Sequence, residues 1–182
     1  MAKPTNGSDH LIESDVIAER LEDERAANGS YGCSKVDCLN VMHLNVQGLL
    51  GKELLLAVHL NQENVDVLCL CEHWLSREQL KCTNIDNYIL ISSFTRSVFS
   101  RGGVAIFVHK TVKVSSTPEV ISTEKEFEVC MCKLLLGKLT TYVVAFYRSP
   151  GSDLNNFIVS FTDLFNKIYN VRSNYIICGD IN

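Results

Sequence analysis

The chain ends Gly179-Asp180-Ile181-Asn182, a carboxylate and an amide two residues apart at the end of an apolar run. Tyr175-Ile176-Ile177-Cys178 is continuously apolar and runs into glycine, the pattern of a buried strand. Side chains two apart on an extended chain point to the same side, so Asp180 and Asn182 would share a face at one edge of a sheet. A buried Asp can hold a metal or take up a proton, and an Asn can orient water or phosphate without adding charge. Taken alone, the four residues favour the simpler reading of a strand followed by an Asx turn.

Three other stretches repeat the design of an apolar strand that delivers a polar group. Cys38 to Leu49 alternates well enough for a strand and puts Asn45 near its end, ahead of Gly48. Val65-Asp66-Val67-Leu68-Cys69-Leu70-Cys71 ends in Glu72-His73-Trp74-Leu75, and Thr141-Tyr142-Val143-Val144-Ala145-Phe146 ends in Tyr147-Arg148-Ser149-Pro150. Asn, Glu, Tyr, then Asp with Asn recur at strand ends, in that order.

These segments, together with Arg101-Gly102-Gly103-Val104-Ala105-Ile106-Phe107-Val108, resemble the endonuclease/exonuclease/phosphatase superfamily, and within it the endonuclease domain of non-LTR retrotransposons. The resemblance spans roughly residues 38–182 and five motifs in family order. It implies an α+β fold, a four-layer sandwich of two mixed β-sheets flanked by helices as in DNase-like proteins, and it covers only the first part of such a domain. It makes Glu72 a ligand of a catalytic Mg²⁺, with Asn45 in the metal and phosphate environment. Tyr147 would approach the scissile phosphate, Asp180 would orient or deprotonate the attacking water, and Asn182 would help place the nucleophile. The activity implied is metal-dependent hydrolysis of phosphodiesters in DNA, with a reverse-transcriptase domain elsewhere in the parent polypeptide.

The family's later Asp and its Ser-Asp-His type motif have no counterpart here. The five histidines, His10, His43, His59, His73 and His109, all precede Gly179. Loss of a general acid or phosphate donor costs about 10²–10⁴ in rate, so the expectation is little or no hydrolysis by this polypeptide alone. Missing strands would leave apolar surface and sheet edges uncovered, and poor solubility or association is expected with them. The alternative is a non-catalytic remnant or interaction module that keeps part of the fold.

Composition bounds the rest. With 182 residues, 46% hydrophobic and 21% charged, the chain supports one ordinary core. The polar start lacks a secretory apolar segment, and no run approaches the roughly 20 apolar residues of a membrane span. A protein of the nucleus or cytoplasm, not secreted, is expected. Cys69, Cys71, Cys130, Cys132 and Cys178 sit inside apolar runs, where a reduced thiol acts as a small hydrophobe. No C-x-x-C pair suggests zinc, and Cys33 with Cys38 is a weak pairing on spacing.

Residues 1–37 hold eight acidic and four basic residues, which leaves thirteen of each in the remainder. The first segment reads as an acidic leader, disordered or marginally helical. A DNA-gripping face needs positive charge. Arg101 and Arg148 are candidate substrate-binding residues, with Arg77, Lys81 and Arg96 also available, although a solvated surface charge is the commoner reading of each.

The elements that must position these groups follow from periodicity. Residues 52–64 suit a helix that joins the strand carrying Asn45 to the one carrying Glu72, which implies parallel neighbours and a right-handed crossover. Leu154, Phe157, Ile158, Phe161, Leu164, Phe165 and Ile168 follow three-four spacing, so residues 153–169 predict a helix capped by Ser152 or Asp153. Strands are predicted at 88–91, 104–108, 127–134 and 141–146. Paired Gly102-Gly103 fits a tight turn or a close backbone approach, and Trp74 fits either burial or a place beside substrate.

Overall fold

A computed structural model describes residues 38–182. The acidic leader, with Cys33, lies outside them. In chain order the elements are β1 (Val41–Asn45), α1 (Glu53–Gln62), β2 (Val67–Cys71), α2 (Arg77–Cys82), β3 (Tyr88–Phe94), β4 (Val104–His109), β5 (Val114–Ser116), β6 (Glu128–Leu136), β7 (Leu139–Arg148), α3 (Leu154–Ile168) and β8 (Ser173–Ile181). One four-stranded sheet has the order β1-β2-β4-β3 and the other β5-β6-β7-β8.

Both sheets are mixed. β1 runs parallel to β2 across α1, and β7 parallel to β8 across α3, as helix-linked strands must. The remaining neighbours are antiparallel. Each parallel pair carries its C-terminal ends to one rim.

The layering follows from the two-residue period of strand side chains. Val67, Cys69 and Cys71 of β2 pack between the sheets with Cys130 and Cys132 of β6 and Val143, Ala145 and Tyr147 of β7. The alternate residues Leu68 and Leu70 face Leu56, Ala57 and Leu60 of α1. On the opposite flank Tyr142, Val144 and Phe146 of β7 meet Phe157 and Leu164 of α3. Helix, sheet, sheet and helix form the four layers. The cysteines between the sheets form no disulfides.

Local chemistry sets the helix starts. The Asp153 carboxylate accepts from the backbone N–H of Asn155 and Asn156 at 2.7 and 3.2 Å and so caps α3. Ser76 and Gln79 form a reciprocal capping box at α2, a one-and-a-half-turn helix that periodicity did not reveal. Strand β8 continues through Gly179 and Asp180, so Asp180 lies within the sheet rather than beyond it. Glycine is required there because a Cβ would stand 2.5 Å from the Phe146 ring and its carbonyl oxygen. Among the described residues no helix is long and apolar enough to cross a membrane.

Phe157 is 2% exposed and packs against Phe127, Phe146 and Phe161 with ring centroids 5.6–5.7 Å apart. Truncating a buried Phe costs about 3–5 kcal/mol. Urea unfolding of Phe157→Ala is expected to show a loss of that size, and a loss as small as that of an exposed site would contradict this packing.

Candidate active site

Four polar side chains meet at the rim where β1, β2, β7 and β8 end. Asn45 pairs in register with Cys71, the residue before Glu72, and Tyr147 pairs with Asp180. The Asn45 amide nitrogen donates to Glu72 Oε1 at 2.8 Å and to Asp180 Oδ2 at 2.7 Å. Its oxygen accepts the Gln47 backbone N–H at 3.3 Å, so the amino group is the end that faces the carboxylates. One neutral NH₂ thus uses both protons to hold two like charges together.

Glu72 has two further donors. Tyr147 OH reaches Oε1 at 3.0 Å and the Trp74 indole Nε1 reaches Oε2 at 3.1 Å. Tyr147 is 5% exposed; burial, then the hydrogen bond to Glu72 and its charge, raise the phenol's pKa. It therefore stays protonated near neutral pH and acts as a donor. Behind it, Cys71 Sγ donates to the Phe146 carbonyl at 3.1 Å, and burial ahead of the Asp180 charge pushes this thiol up to about 12. His43 stands 3.2 Å from that sulfur, and burial lowers its pKa against the pull of Asp180.

The backbone beneath Glu72 is unusual. Glu72 and Trp74 adopt φ of +56° and +58°, sparsely populated for residues with a side chain. Neighbouring loops hold them there. Glu72 N–H donates to Gly103 O at 2.8 Å and Trp74 N–H to Gly102 O at 3.0 Å. On the other side Gly48 N–H donates to Glu72 O at 2.8 Å and Leu49 N–H to His73 O at 3.0 Å. His73 is buried, accepts the Leu75 N–H at Nδ1 and donates from Nε2 to Phe94 O, which fixes one neutral tautomer. A Cβ on Gly103 would lie 2.4 Å from the His73 ring, which accounts for the second glycine of the pair.

Arg96, expected on a basic face, is instead turned inward: its side chain is 7% exposed and pairs with the fully buried Glu128 at 2.5 Å. Glu128 also accepts the N–H groups of Gly103 at 2.7 Å and Lys125 at 2.9 Å, and Arg96 reaches Ser149 Oγ at 2.5 Å. The pattern of residues did not announce this pair, because Arg96 lies in a polar loop and Glu128 at the start of an apolar strand.

The other expected residues sit around the four. Asn182 is exposed, and its amide donates to Arg148 O at 3.4 Å. The Arg148 guanidinium donates to Ser152 O at 2.9 Å, and its Nε is buried without a partner. The Arg101 guanidinium lies over the Trp74 ring at 5.1 Å. Arg77 and Lys81 line, with Arg96, a cleft of about 840 Å³ that includes none of Asn45, Glu72, Tyr147 and Asp180. Among the described residues no three or more His, Cys, Asp and Glu side chains assemble as a metal cluster.

Two measurements follow. Glu128→Ala would leave Arg96 as an uncompensated buried cation, an expected loss of about 3–5 kcal/mol, with only part of it restored in Arg96→Met/Glu128→Leu, because the N–H groups of Gly103 and Lys125 still lack their acceptor. A loss of about 1 kcal/mol or less, typical of an exposed pair, would contradict the burial. The Glu124 carboxylate accepts the N–H groups of Ser97, Val98 and Phe99, and these bonds outweigh burial and bring its pKa from 4.5 to about 2. A depressed pKa means that stabilisation is complete above 4.5 and lost as pH falls toward about 2. The amides of residues 97–99 should keep their hydrogen-exchange protection at pH 5 and lose it in that window, and unchanged protection at the acid end would refute the link.

Solved structures with the same fold include a humanized TDP2 of D. rerio, with TM-score 0.59 at 18% identity over 78% of this chain and 65% of that one. The endonuclease domain of TRAS1, a telomere-specific non-LTR retrotransposon, gives 0.59 at 15% identity over 79% and 58%. D. rerio TDP2 complexed with a single-strand DNA product gives 0.58 at 17% over 78% and 60%. The chain spans less than two thirds of the length of each. No curated protein sequence matches it. The model of the Endonuclease/Exonuclease/phosphatase family matches residues 42–182, and the chain belongs to that family.

Proposed function

We propose that this chain carries the metal- and water-positioning part of a phosphodiesterase domain that cuts DNA in the manner of a retrotransposon endonuclease. The observation that carries the reading is the convergence of Glu72 and Asp180, from different sheets, on the single Asn45 amide. Similarity to the TRAS1 endonuclease and to a TDP2 bound to single-strand DNA product supports DNA as substrate. A reverse-transcriptase domain in the same parent polypeptide, and work in the nucleus or cytoplasm, belong to this reading.

The donor set suits magnesium. That ion keeps several waters and is held by one or two carboxylates with substrate phosphate, not by a closed protein cage. Glu72 would hold it, with Asn45 and Asp180 beside it. When bound, the ion supplies charge to stabilise the developing negative oxygens of an in-line displacement. The chain's own groups do the rest. Asp180 would orient the attacking water and take its proton, the Tyr147 hydroxyl would turn its one proton from Glu72 to a phosphate oxygen, and Asn45 holds the two carboxylates close and aimed. Asn182 lies next along the β8 edge, where it would place the nucleophile. Arg101, above the exposed Trp74, and Arg148 would meet the DNA backbone.

Plasmid nicking over hours with excess Mg²⁺ tests the reading. Among the described histidines none makes a hydrogen bond to the four residues, so turnover is expected to be slow, about 10²–10⁴ below a complete site. Glu72→Gln and Asp180→Asn should remove what activity there is, and Tyr147→Phe should lower it about 10²–10³-fold, as loss of one preorganised donor does. Nicking that survives Glu72→Gln and Asp180→Asn would overturn the assignment. A wild-type rate no higher than those variants would favour a non-catalytic module.

A further inference from the structure

Trp74 is the one tryptophan of the chain. It is 37% exposed, and its indole N–H is committed to the carboxylate of Glu72. Two separate segments, 46–52 and 101–102, converge to hold the ring. A Cβ on Gly48 would stand 2.9 Å from indole Cε3, so the glycine opens the slot into which the ring fits. The Gly48 N–H bonds the Glu72 carbonyl, and Lys52 Nζ donates to Val46 O at 2.7 Å and Gln47 O at 3.2 Å, fixing the loop that carries the glycine. Arg101 lies over the ring, and the Gly102 carbonyl accepts the Trp74 N–H. The backbone at Trp74 is held at φ +58°, a conformation that persists only where surroundings over-determine it.

We infer that Trp74 is a positioning residue whose indole N–H fixes the orientation of the Glu72 carboxylate for a divalent cation, with Gly48 and Arg101 as the two walls of its slot. The inference rests on the reading of Glu72 as the metal-holding group. Asn45 and Tyr147 both bind Oε1, so the indole N–H bonds the other oxygen, Oε2, and stops the carboxylate from turning. Partners of this kind typically set metal affinity within about 10–100-fold. The arrangement also makes the chain its own reporter, because a change of charge at Glu72 acts directly on its single indole.

The test is a calorimetric Mg²⁺ titration of the full chain, paralleled by Trp74 fluorescence in the proteins that keep the indole. Three variants are compared with wild type: Glu72→Gln, Trp74→Phe, and Trp74 replaced by its benzothienyl isostere, which keeps the ring and removes only the N–H. Wild type should bind with a change in indole emission, Glu72→Gln should lose both, and the isostere should bind about 10-fold more weakly with an unchanged melting temperature. Trp74→Phe should weaken binding at least as much. If Glu72→Gln loses the ion while the isostere binds as tightly as wild type, the inference falls and the Glu72 reading stands. Binding by Glu72→Gln equal to wild type, or none by wild type, removes both.

Discussion

The structure turns on an amide. Glu72 follows a strand of one sheet and Asp180 lies in a strand of the other, and both carboxylates bond the same Asn45 nitrogen at 2.8 and 2.7 Å. Two anions brought this close repel, and a cation from the protein would neutralise the site it is meant to build. A neutral NH₂ with two protons satisfies both without adding charge and leaves the combined negative potential for a ligand. The same contact ties the sheets at their rim, 135 residues apart in sequence.

A second polar device adjoins the first, since Glu128 pairs in register with Tyr147. The Arg96–Glu128 pair is removed from water, which is costly unless each remaining lone pair and proton finds a partner. Here Gly103, Lys125 and Ser149 supply them. The pair therefore fixes the loop before β4 against the start of β6, and that loop in turn holds the backbone of Glu72 through Gly103. The Arg96 guanidinium also lies 6.0 Å from the Tyr147 ring. Buried polar satisfaction and site geometry are thus linked through a few shared hydrogen bonds.

Much of this was legible in the residues. The three-four spacing of Leu154 to Ile168 gave α3 within a residue at each end, and the Leu-rich stretch after Gly51 gave α1 and the parallel pairing of β1 with β2. Asn45, Glu72, Tyr147 and Asp180 were visible as polar residues at strand ends, because a two-residue period makes a polar break in an apolar run stand out. What stayed hidden depends on distant pairing. Arg96 looked like a surface cation because its counter-ion lies 32 residues on. The bond from Trp74 to Glu72 spans two residues, but the positive-φ backbone that allows it is held by the distant Gly48 and Gly102-Gly103 loops, and α2 is too short for periodicity to register. Asp180 was expected past the strand, since glycine usually ends one; here Gly179 stays in the ladder because Phe146 occupies the space of a side chain.

Strand β7 serves two compartments at once. Its odd-numbered residues from Val143 to Tyr147 fill the gap between the sheets and end at the site, while Tyr142, Val144 and Phe146 pack on α3. Such a strand can exchange one apolar residue for another with modest consequence. Gaining or losing a single residue before Tyr147 is different, because every later side chain would change compartments and the phenol would turn toward the helix. Heritable variation in this segment is therefore expected to be restricted in length far more than in spelling.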